Sequence, residues 1–293
     1  MINALAFADG GVAVTELERV PPGVDPTVPS SARVYDYLLG GKDNLAVDRT
    51  FADRLLTVAP DARLTARANR DFLVRTVRTM ADRGIRQFVD LGTGIPTSPS
   101  VHEIAHAADP SATVVYVDYD PVVRLHAEVL LSSGKNVTSV QADVRRPGDI
   151  VEDPEVTRLI DFSEPVGLIM VAVLHFVTDA EDPDGVVEEF ARRVAPGSHL
   201  ALSHVTSESS PAARAQLSSG TANTPMQVTF RPHERVRALF GPFELLDPGL
   251  VAVQDWRADD DGLPPLPGGG PPRIRVDGGL GRLAGPVSSG GAR

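Results

Sequence analysis

Between residues 86 and 205, short apolar runs alternate with segments of helical periodicity. The predicted strands cover 86–91, 113–118, 137–142, 166–173 and 199–204. Parallel strands need a crossover between them, and an intervening helix usually supplies it. The alternation therefore predicts an α/β fold of the Rossmann-like, doubly wound type, with a mostly parallel sheet and helices on both faces.

Two further apolar runs, at 243–246 and 249–253, follow this region. We expect them to form an antiparallel edge hairpin, which makes the predicted sheet seven-stranded. Upstream, residues 31–83 have helical periodicity broken at Gly40-Gly41, and they predict an N-terminal helical layer.

The domain boundaries follow from proline and glycine. Prolines in residues 1–29 predict an extended or disordered arm. Residues 30–257 are expected to form one domain, with 30–83 as a helical lid or cap and 84–257 as the α/β core. The Gly- and Pro-rich residues 258–293 predict a disordered tail.

The first strand of the core ends in a glycine turn. Gly92 and Gly94 follow the apolar Phe88, Val89 and Leu91, and helical periodicity begins near Ser98. A strand, a glycine turn and a helix together build a nucleotide cradle, because backbone N–H groups and the helix start face the ligand. Alone, the two glycines are equally compatible with an ordinary tight turn.

The next two strands also end in residues able to bind a nucleoside. Asp118 can accept hydrogen bonds from ribose hydroxyls, Tyr119 can lie against an adenine face, and Asp143 can accept from an adenine amino group. Each acid alone could be a helix cap. Three consecutive strand ends carrying such groups indicate a binding site at this edge of the sheet.

Composition limits the partners. The net charge of -11 and the absence of a basic run argue against nucleic acid as an electrostatically captured partner. Without cysteine there is no disulfide and no thiolate site. We expect a cytoplasmic protein, since no apolar segment is long enough to span a bilayer and no secretion signal is convincing.

A literal His-Glu-x-x-His sequence occupies residues 102–106. On a helix, His102 and His106 share a face, as in zinc proteases. The motif follows the glycine turn, however, and no third ligand follows at a short fixed offset. We therefore expect a structural histidine pair and no metal.

Two groups of residues are candidates for contact with a substrate. His175 follows the fourth strand and is a candidate proton acceptor, with a packing role as the alternative. In the helical layer, polar side chains can form a lid over a ligand or a purely structural cap. The candidate substrate-binding residues are Tyr37, Lys42, Asn44, Asn69 and Arg70. The arginines of this layer would suit an acceptor that bears a carboxylate.

Several motifs resemble those of class I S-adenosylmethionine-dependent methyltransferases. The runs Phe-Val-Asp-Leu-Gly-Thr-Gly at 88–94, Val-Asp-Tyr-Asp-Pro at 117–121 and Gln-Ala-Asp-Val at 141–144 resemble their first three motifs. Residues 32–44 resemble the opening of an actinobacterial family of such enzymes of unknown substrate, the DUF574 or SAV2177-like family. The resemblance covers about 26–257. It departs at Pro96, where a third glycine is common.

The resemblance implies a cofactor, S-adenosyl-L-methionine, and roles for named residues. Gly92 and Gly94 would pass the methionine moiety, with Asp90 near its amino group. Asp118 would hold the ribose, and Asp143 with Val144 the adenine. The implied activity is methyl transfer to a small-molecule acceptor.

Two other functions stay open from the sequence. A non-catalytic protein that senses S-adenosylmethionine would keep Gly92, Gly94, Asp118 and Asp143. An NAD(P)-dependent oxidoreductase is less favoured, because the third phosphate-loop glycine and a Tyr-x-x-x-Lys pair are both absent.

Overall fold

The computed structural model describes residues 24–123, 136–222, 224, 226–258 and 272–285. The helices are α1 (Ser31–Leu39), α2 (Ala46–Val58), α3 (Ala62–Asp82), α4 (Val101–Ala108), α5 (Pro147–Val151), α6 (Pro154–Thr157), α7 (Pro183–Arg193), α8 (Pro211–Thr221) and α9 (His233–Ala238). The strands are β1 (Gln87–Leu91), β2 (Thr113–Asp118), β3 (Val137–Gln141), β4 (Gly167–Val171), β5 (His199–Val205), β6 (Phe243–Leu245), β7 (Val251–Ala252) and β8 (Val276–Leu283).

The strands form one sheet in the order β3-β2-β1-β4-β5-β8-β6, and β7 also pairs with β8. The first five strands are mutually parallel, whereas β8 runs antiparallel to its three partners. The strand order reverses between β1 and β4, and in open α/β sheets such a switch point is where ligands bind. The predicted Rossmann-like, mostly parallel sheet with an antiparallel edge is confirmed.

The strand count and the edge hairpin are corrected. Within the ranges that the structure describes, the sheet has eight strands rather than seven, and β6 and β7 pair with β8 instead of with each other. Strand β8 lies inside the segment 258–293, which the sequence predicted to be disordered. The remainder of that tail, at 259–271 and 286–293, and the arm at 1–23 lie outside the described residues.

Glycines explain why β8 escaped prediction. Its sequence, Val-Asp-Gly-Gly-Leu-Gly-Arg-Leu, lacks the apolar alternation of a strand. At Gly278 a Cβ atom would lie 2.8 Å from Cζ of Phe72, so the neighbouring ring fills the space of the missing side chain. At its glycines the strand is covered by its neighbours' side chains, while Val276 and Leu280 contribute apolar side chains of their own to the core.

The N-terminal helices cover one part of the sheet's carboxyl edge. Gly40 ends α1 in a left-handed conformation with φ of 90°. The buried Arg33 guanidinium donates to Asp48 of α2 at 2.7 Å, and Ser30 Oγ donates to Asp120 at 2.6 Å. Because Asp120 follows β2 directly, this contact ties the helical layer to the end of the sheet.

The core consists of two large apolar clusters. One joins the N-terminal helices to the sheet through Phe72 and Phe88, and the other contains Leu168 and Phe190. Among the described residues, no helix combines the length and apolar character needed to cross a bilayer.

Candidate functional site

A cavity of about 400 Å³ opens at the carboxyl ends of β1, β2 and β4, beneath α1 and α3. Among the residues predicted to bind a ligand, those that line the cavity are Asn69, Arg70, Asp90, Gly92, Gly94, Asp118, Tyr119, Asp143, Val144 and His175. The structure therefore brings residues from distant parts of the sequence into one place.

The glycine turn forms one wall of the cavity. Gly92 and Gly94 have φ of 73° and 66°, in the left-handed region that favours glycine. A Cβ atom at Gly92 would lie 2.4 Å from Cγ2 of Val173, which follows β4. The missing side chain thus lets the turn and the β4 segment approach each other.

Asp118 is fixed by backbone groups. Its Oδ2 accepts from the N–H of Gly94 at 2.8 Å, and its Oδ1 accepts from the N–H of Asp120 at 2.9 Å. Burial raises the pKa of Asp118 to about 6, although these hydrogen bonds oppose the shift. The carboxylate is therefore preorganised and desolvated at the cavity wall.

Asp90, on β1, is the most strongly perturbed carboxyl of the cavity. Only 4% of the residue is exposed, and burial raises its pKa to about 7 despite the nearby Arg70 guanidinium. Arg70 itself donates to the carbonyls of Thr97 and Pro99. Arg70 thereby holds the loop that follows the glycine turn.

Tyr119 and Asp143 line the part of the cavity next to the ends of β2 and β3. Tyr119 is 44% exposed, an unusual position for a large ring. The Asp143 carboxylate pairs with Arg145 at 2.7 Å, and Arg145 also pairs with Glu181. Burial alone would raise the pKa of Asp143, but the hydrogen bonds from Arg145 lower it overall. Arg145, which the sequence analysis did not single out, lines the cavity too.

His175 lies in a short 3₁₀ turn, Leu174–Phe176, and only 6% of it is exposed. Its Nδ1 is buried and has no hydrogen-bond partner among the described residues. Burial, together with His204 and Arg231, lowers the pKa of His175 well below its usual range. The ring is therefore neutral at neutral pH.

Arg231 holds the segment that carries His175. It is 2% exposed and donates to the carbonyls of Leu174 at 3.1 Å and Val177 at 2.7 Å. It also contacts Nε2 of His204 at 2.8 Å and Asp179 at 2.7 Å. No local sequence pattern indicates this role, because the partners are more than 25 residues away from Arg231.

Three predicted lid residues do not line the cavity. The Tyr37 hydroxyl donates to Asp53 at 2.9 Å, and Asn44 donates to the buried Asp36 at 2.8 Å. Lys42 is exposed. The helix face toward the cavity carries Tyr35 rather than Tyr37.

Tyr35 takes part in a polar network at the cavity floor. Its hydroxyl donates to the carbonyl of Ala66 at 2.9 Å and accepts from Asn69 Nδ2 at 3.0 Å. The Asn69 Oδ1 accepts from Ser203 Oγ at 2.6 Å, and Ser203 Oγ accepts from the N–H of Ala172 at 3.0 Å. Ala172 has a φ of 59°, which is strained for a residue with a Cβ.

The His-Glu-x-x-His motif has structural partners. His102 Nδ1 contacts the Tyr116 hydroxyl at 2.8 Å, and His106 Nε2 contacts the carbonyl of Ala112 at 2.9 Å. Glu103 caps the start of α4 by accepting from the N–H of Ser100. Within the described ranges, no three His, Asp or Glu side chains are close enough together to hold a metal ion.

The chain was compared with known proteins. It is similar to a protein of Thermobifida fusca YX named as a candidate methyltransferase, with 39% identity over 90% of this chain and 98% of that one, and a TM-score of 0.84. It is also similar to a DUF574 family protein of Streptomyces avermitilis, with 37% identity, coverage of 87% and 97%, and a TM-score of 0.79. No curated protein matches the chain.

The sequence model of a family described as S-adenosyl methyltransferase matches residues 18–283. The match includes β8, the strand that the sequence analysis had assigned to a disordered tail. The cofactor of this family is S-adenosylmethionine, as the motifs at 88–94, 117–121 and 141–144 predicted. The chain belongs to the S-adenosyl methyltransferase family.

Proposed function

We propose that this protein is an S-adenosylmethionine-dependent methyltransferase (EC 2.1.1.-) that acts on a small-molecule acceptor. The observation that carries the proposal is the convergence of Gly92, Gly94 and Asp118 on one cavity at the switch point of the sheet. Family membership supports the reaction type. The net charge of -11 favours a small molecule over nucleic acid.

The cavity residues fit the cofactor. The Asp118 oxygens each use one lone pair on a backbone N–H, which leaves further lone pairs for ribose hydroxyls. The buried Asp90 carboxyl suits an ammonium group. At Gly94 a Cβ atom would meet nothing within 4 Å, so the backbone of the turn borders open space in which the methionine moiety can lie.

The residues proposed to bind the adenine also fit it, although one of them, Asp143, already has a partner. Tyr119 offers an exposed ring on which a base can stack. Asp143 already pairs with Arg145, so an adenine amino group would share its carboxylate with that guanidinium. Val144, next to it, completes the border of the cavity.

S-adenosylmethionine supplies a methyl group that its sulfonium activates for in-line displacement. The chain needs to align the acceptor and to accept its proton when an O–H or N–H is methylated. His175 lines the cavity, and its neutral ring can accept a hydrogen bond from such a group. Asn69 borders the same space.

Calorimetric titration tests the proposal. S-adenosylhomocysteine, the reaction product, should bind the full chain with a Kd in the micromolar range or below, whereas NAD and NADP should give no heat of binding. A failure of S-adenosylhomocysteine to bind would overturn the proposal. Conversion of S-adenosylmethionine to S-adenosylhomocysteine with a panel of acceptors then separates an enzyme from a sensor protein, which would bind the cofactor without turnover.

A further inference from the structure

The cavity continues beyond the cofactor residues, between the N-terminal helices and α8. We call this part the acceptor compartment and define it by its apolar side chains. They are Val34, Leu38, Phe51, Leu55, Leu217 and Met226. The first four come from α1 and α2, and Leu217 comes from α8, so the compartment is assembled by elements outside the parallel sheet.

The charged side chains that line the cavity belong to its other part. Asp90 and Asp118 lie at the ends of β1 and β2. Asp143 and Arg145 pair with each other, and Arg70 donates to the carbonyls of Thr97 and Pro99. Within the described residues, the acceptor compartment therefore has no counter-ion for a charged ligand.

Arg70 is the lid arginine that lines the cavity, whereas Arg63 and Arg67 of the same helical layer do not line it. Arg63 donates to the carbonyl of Tyr37 at 2.7 Å and lies over the Tyr37 ring. Arg67 is exposed and does not line the cavity. A carboxylate placed in the acceptor compartment would lose its hydration without gaining a cation, which is costly.

The hydroxyl groups of this compartment already have acceptors. Thr221 Oγ1 donates to the carbonyl of Leu217 at 2.7 Å, and Thr65 Oγ1 donates to that of Ile274 at 3.3 Å. The Tyr35 hydroxyl both donates and accepts. His175 differs, since its Nδ1 has no hydrogen-bond partner among the described residues.

We propose that the acceptor is an uncharged, largely apolar molecule that seats its hydrocarbon part between α1, α2 and α8 and presents one polar group toward His175. The proposal rests on the proposed function, because it assigns the remaining part of the same cavity. An aromatic alcohol or amine has the required chemistry, whereas an amino acid, a sugar phosphate or a carboxylic acid does not.

A matched pair of probes tests this assignment. With the full chain saturated with S-adenosylhomocysteine, 2-naphthol and 2-naphthoate are titrated separately by calorimetry at pH 7. The two probes share a ring system and differ in the charge of one group. We expect 2-naphthol to bind at least about tenfold more tightly, since the carboxylate must be desolvated without a partner.

Two lysine substitutions on α8 provide the control. Leu217 faces the compartment, whereas Ser218 is exposed and outside the cavity. Leu217→Lys should weaken 2-naphthol binding at least tenfold and shift the preference toward 2-naphthoate. Ser218→Lys adds the same charge to the next residue and should leave both affinities unchanged.

The outcomes separate this proposal from the proposed function. If S-adenosylhomocysteine binds but wild-type protein prefers 2-naphthoate, or binds both probes equally, or binds neither, the assignment of the acceptor class is wrong. If wild-type protein does not bind S-adenosylhomocysteine, the proposed function itself is wrong. Binding of S-adenosylhomocysteine by each variant shows that it is folded. If Leu217→Lys does not fold, the selectivity of the wild-type protein decides alone.

Discussion

The carboxylate of Asp118 accepts a hydrogen bond of 2.8 Å from the backbone N–H of Gly94. This bond joins the end of β2 to the glycine turn after β1, and it fixes both walls of the proposed cofactor cavity relative to each other. A ligand that uses Asp118 therefore meets a carboxylate that is already oriented, so little conformational entropy is lost on binding.

The close approach at Gly92 leads to a stability prediction. Gly92→Ala places a Cβ atom 2.4 Å from Cγ2 of Val173, at a residue with φ of 73°. We expect the free energy of unfolding to fall by about 2 kcal/mol or more, since strain and overpacking add. Urea denaturation at neutral pH measures the change.

Gly148→Ala is the matched control for this substitution. Gly148 lies in α5, and a Cβ atom there would meet nothing within 4 Å. This variant should be as stable as wild type or more stable by up to about 1 kcal/mol. Equal effects of the two substitutions would contradict the role given to Gly92.

Cofactor affinity should depend on pH through the two buried carboxyls. Burial raises the pKa of Asp118 to about 6 and that of Asp90 to about 7. Both groups therefore become protonated as the pH falls from 8 to 5, and binding to their carboxylates is lost. We expect the Kd of S-adenosylhomocysteine to rise at least about tenfold over this range.

In the ligand-free protein, these two carboxyls make the free energy of unfolding change with pH in the direction opposite to that of cofactor affinity. A carboxyl whose pKa is raised on folding stabilises the fold when protonated, and this contribution is lost as the pH rises through 6 to 7.

The variant Asp118→Asn tests the pH dependence of binding. It should bind S-adenosylhomocysteine more weakly than wild type at pH 8 and show a smaller change of Kd between pH 8 and 5. A Kd of wild-type protein that stays constant over this range would contradict the assignment.

Arg231 should be important for stability. Replacing it with leucine leaves the carbonyls of Leu174 and Val177 and Nε2 of His204 without their donor. We expect a loss of about 3 kcal/mol in the free energy of unfolding, because each buried group left unpaired costs about 1 kcal/mol or more. Denaturant unfolding provides the measurement.

Arg237→Leu removes the same kind of side chain from an exposed position of α9. It should change stability by less than about 0.5 kcal/mol. If Arg231→Leu is equally mild, the segment that carries His175 is held by other contacts and the role given to Arg231 is wrong.

The grouping of polar residues at one edge of the sheet was predictable because these residues follow directly from strand ends. In a parallel sheet, the residues after β1, β2 and β3 meet at one edge. This rule predicts that Gly94, Asp118 and Asp143 lie together, and all three line the cavity.

Three other features could not be predicted, because they depend on contacts between residues that are distant in the sequence. Strand β8 is buried by Phe72 and other neighbours that fill the space above its glycines. Tyr37 was the predicted lid residue, but the tyrosine that lines the cavity is Tyr35, two positions earlier, whose hydroxyl donates to the carbonyl of Ala66 in α3. The hydrogen bonds from Arg231 to the carbonyls of Leu174 and Val177, on either side of His175, connect residues more than 50 positions apart.

The central claim is that Asp118 holds the cofactor, and the affinity of S-adenosylhomocysteine for two aspartate variants tests it most directly. Asp109→Ala is the control, because Asp109 also accepts from the N–H of a residue two positions later but lies outside the cavity. Calorimetry on both folded variants should give a wild-type Kd for Asp109→Ala. For Asp118→Ala we expect a Kd at least about a hundredfold higher, as two charge-assisted hydrogen bonds are lost. An unchanged Kd for Asp118→Ala would contradict the account.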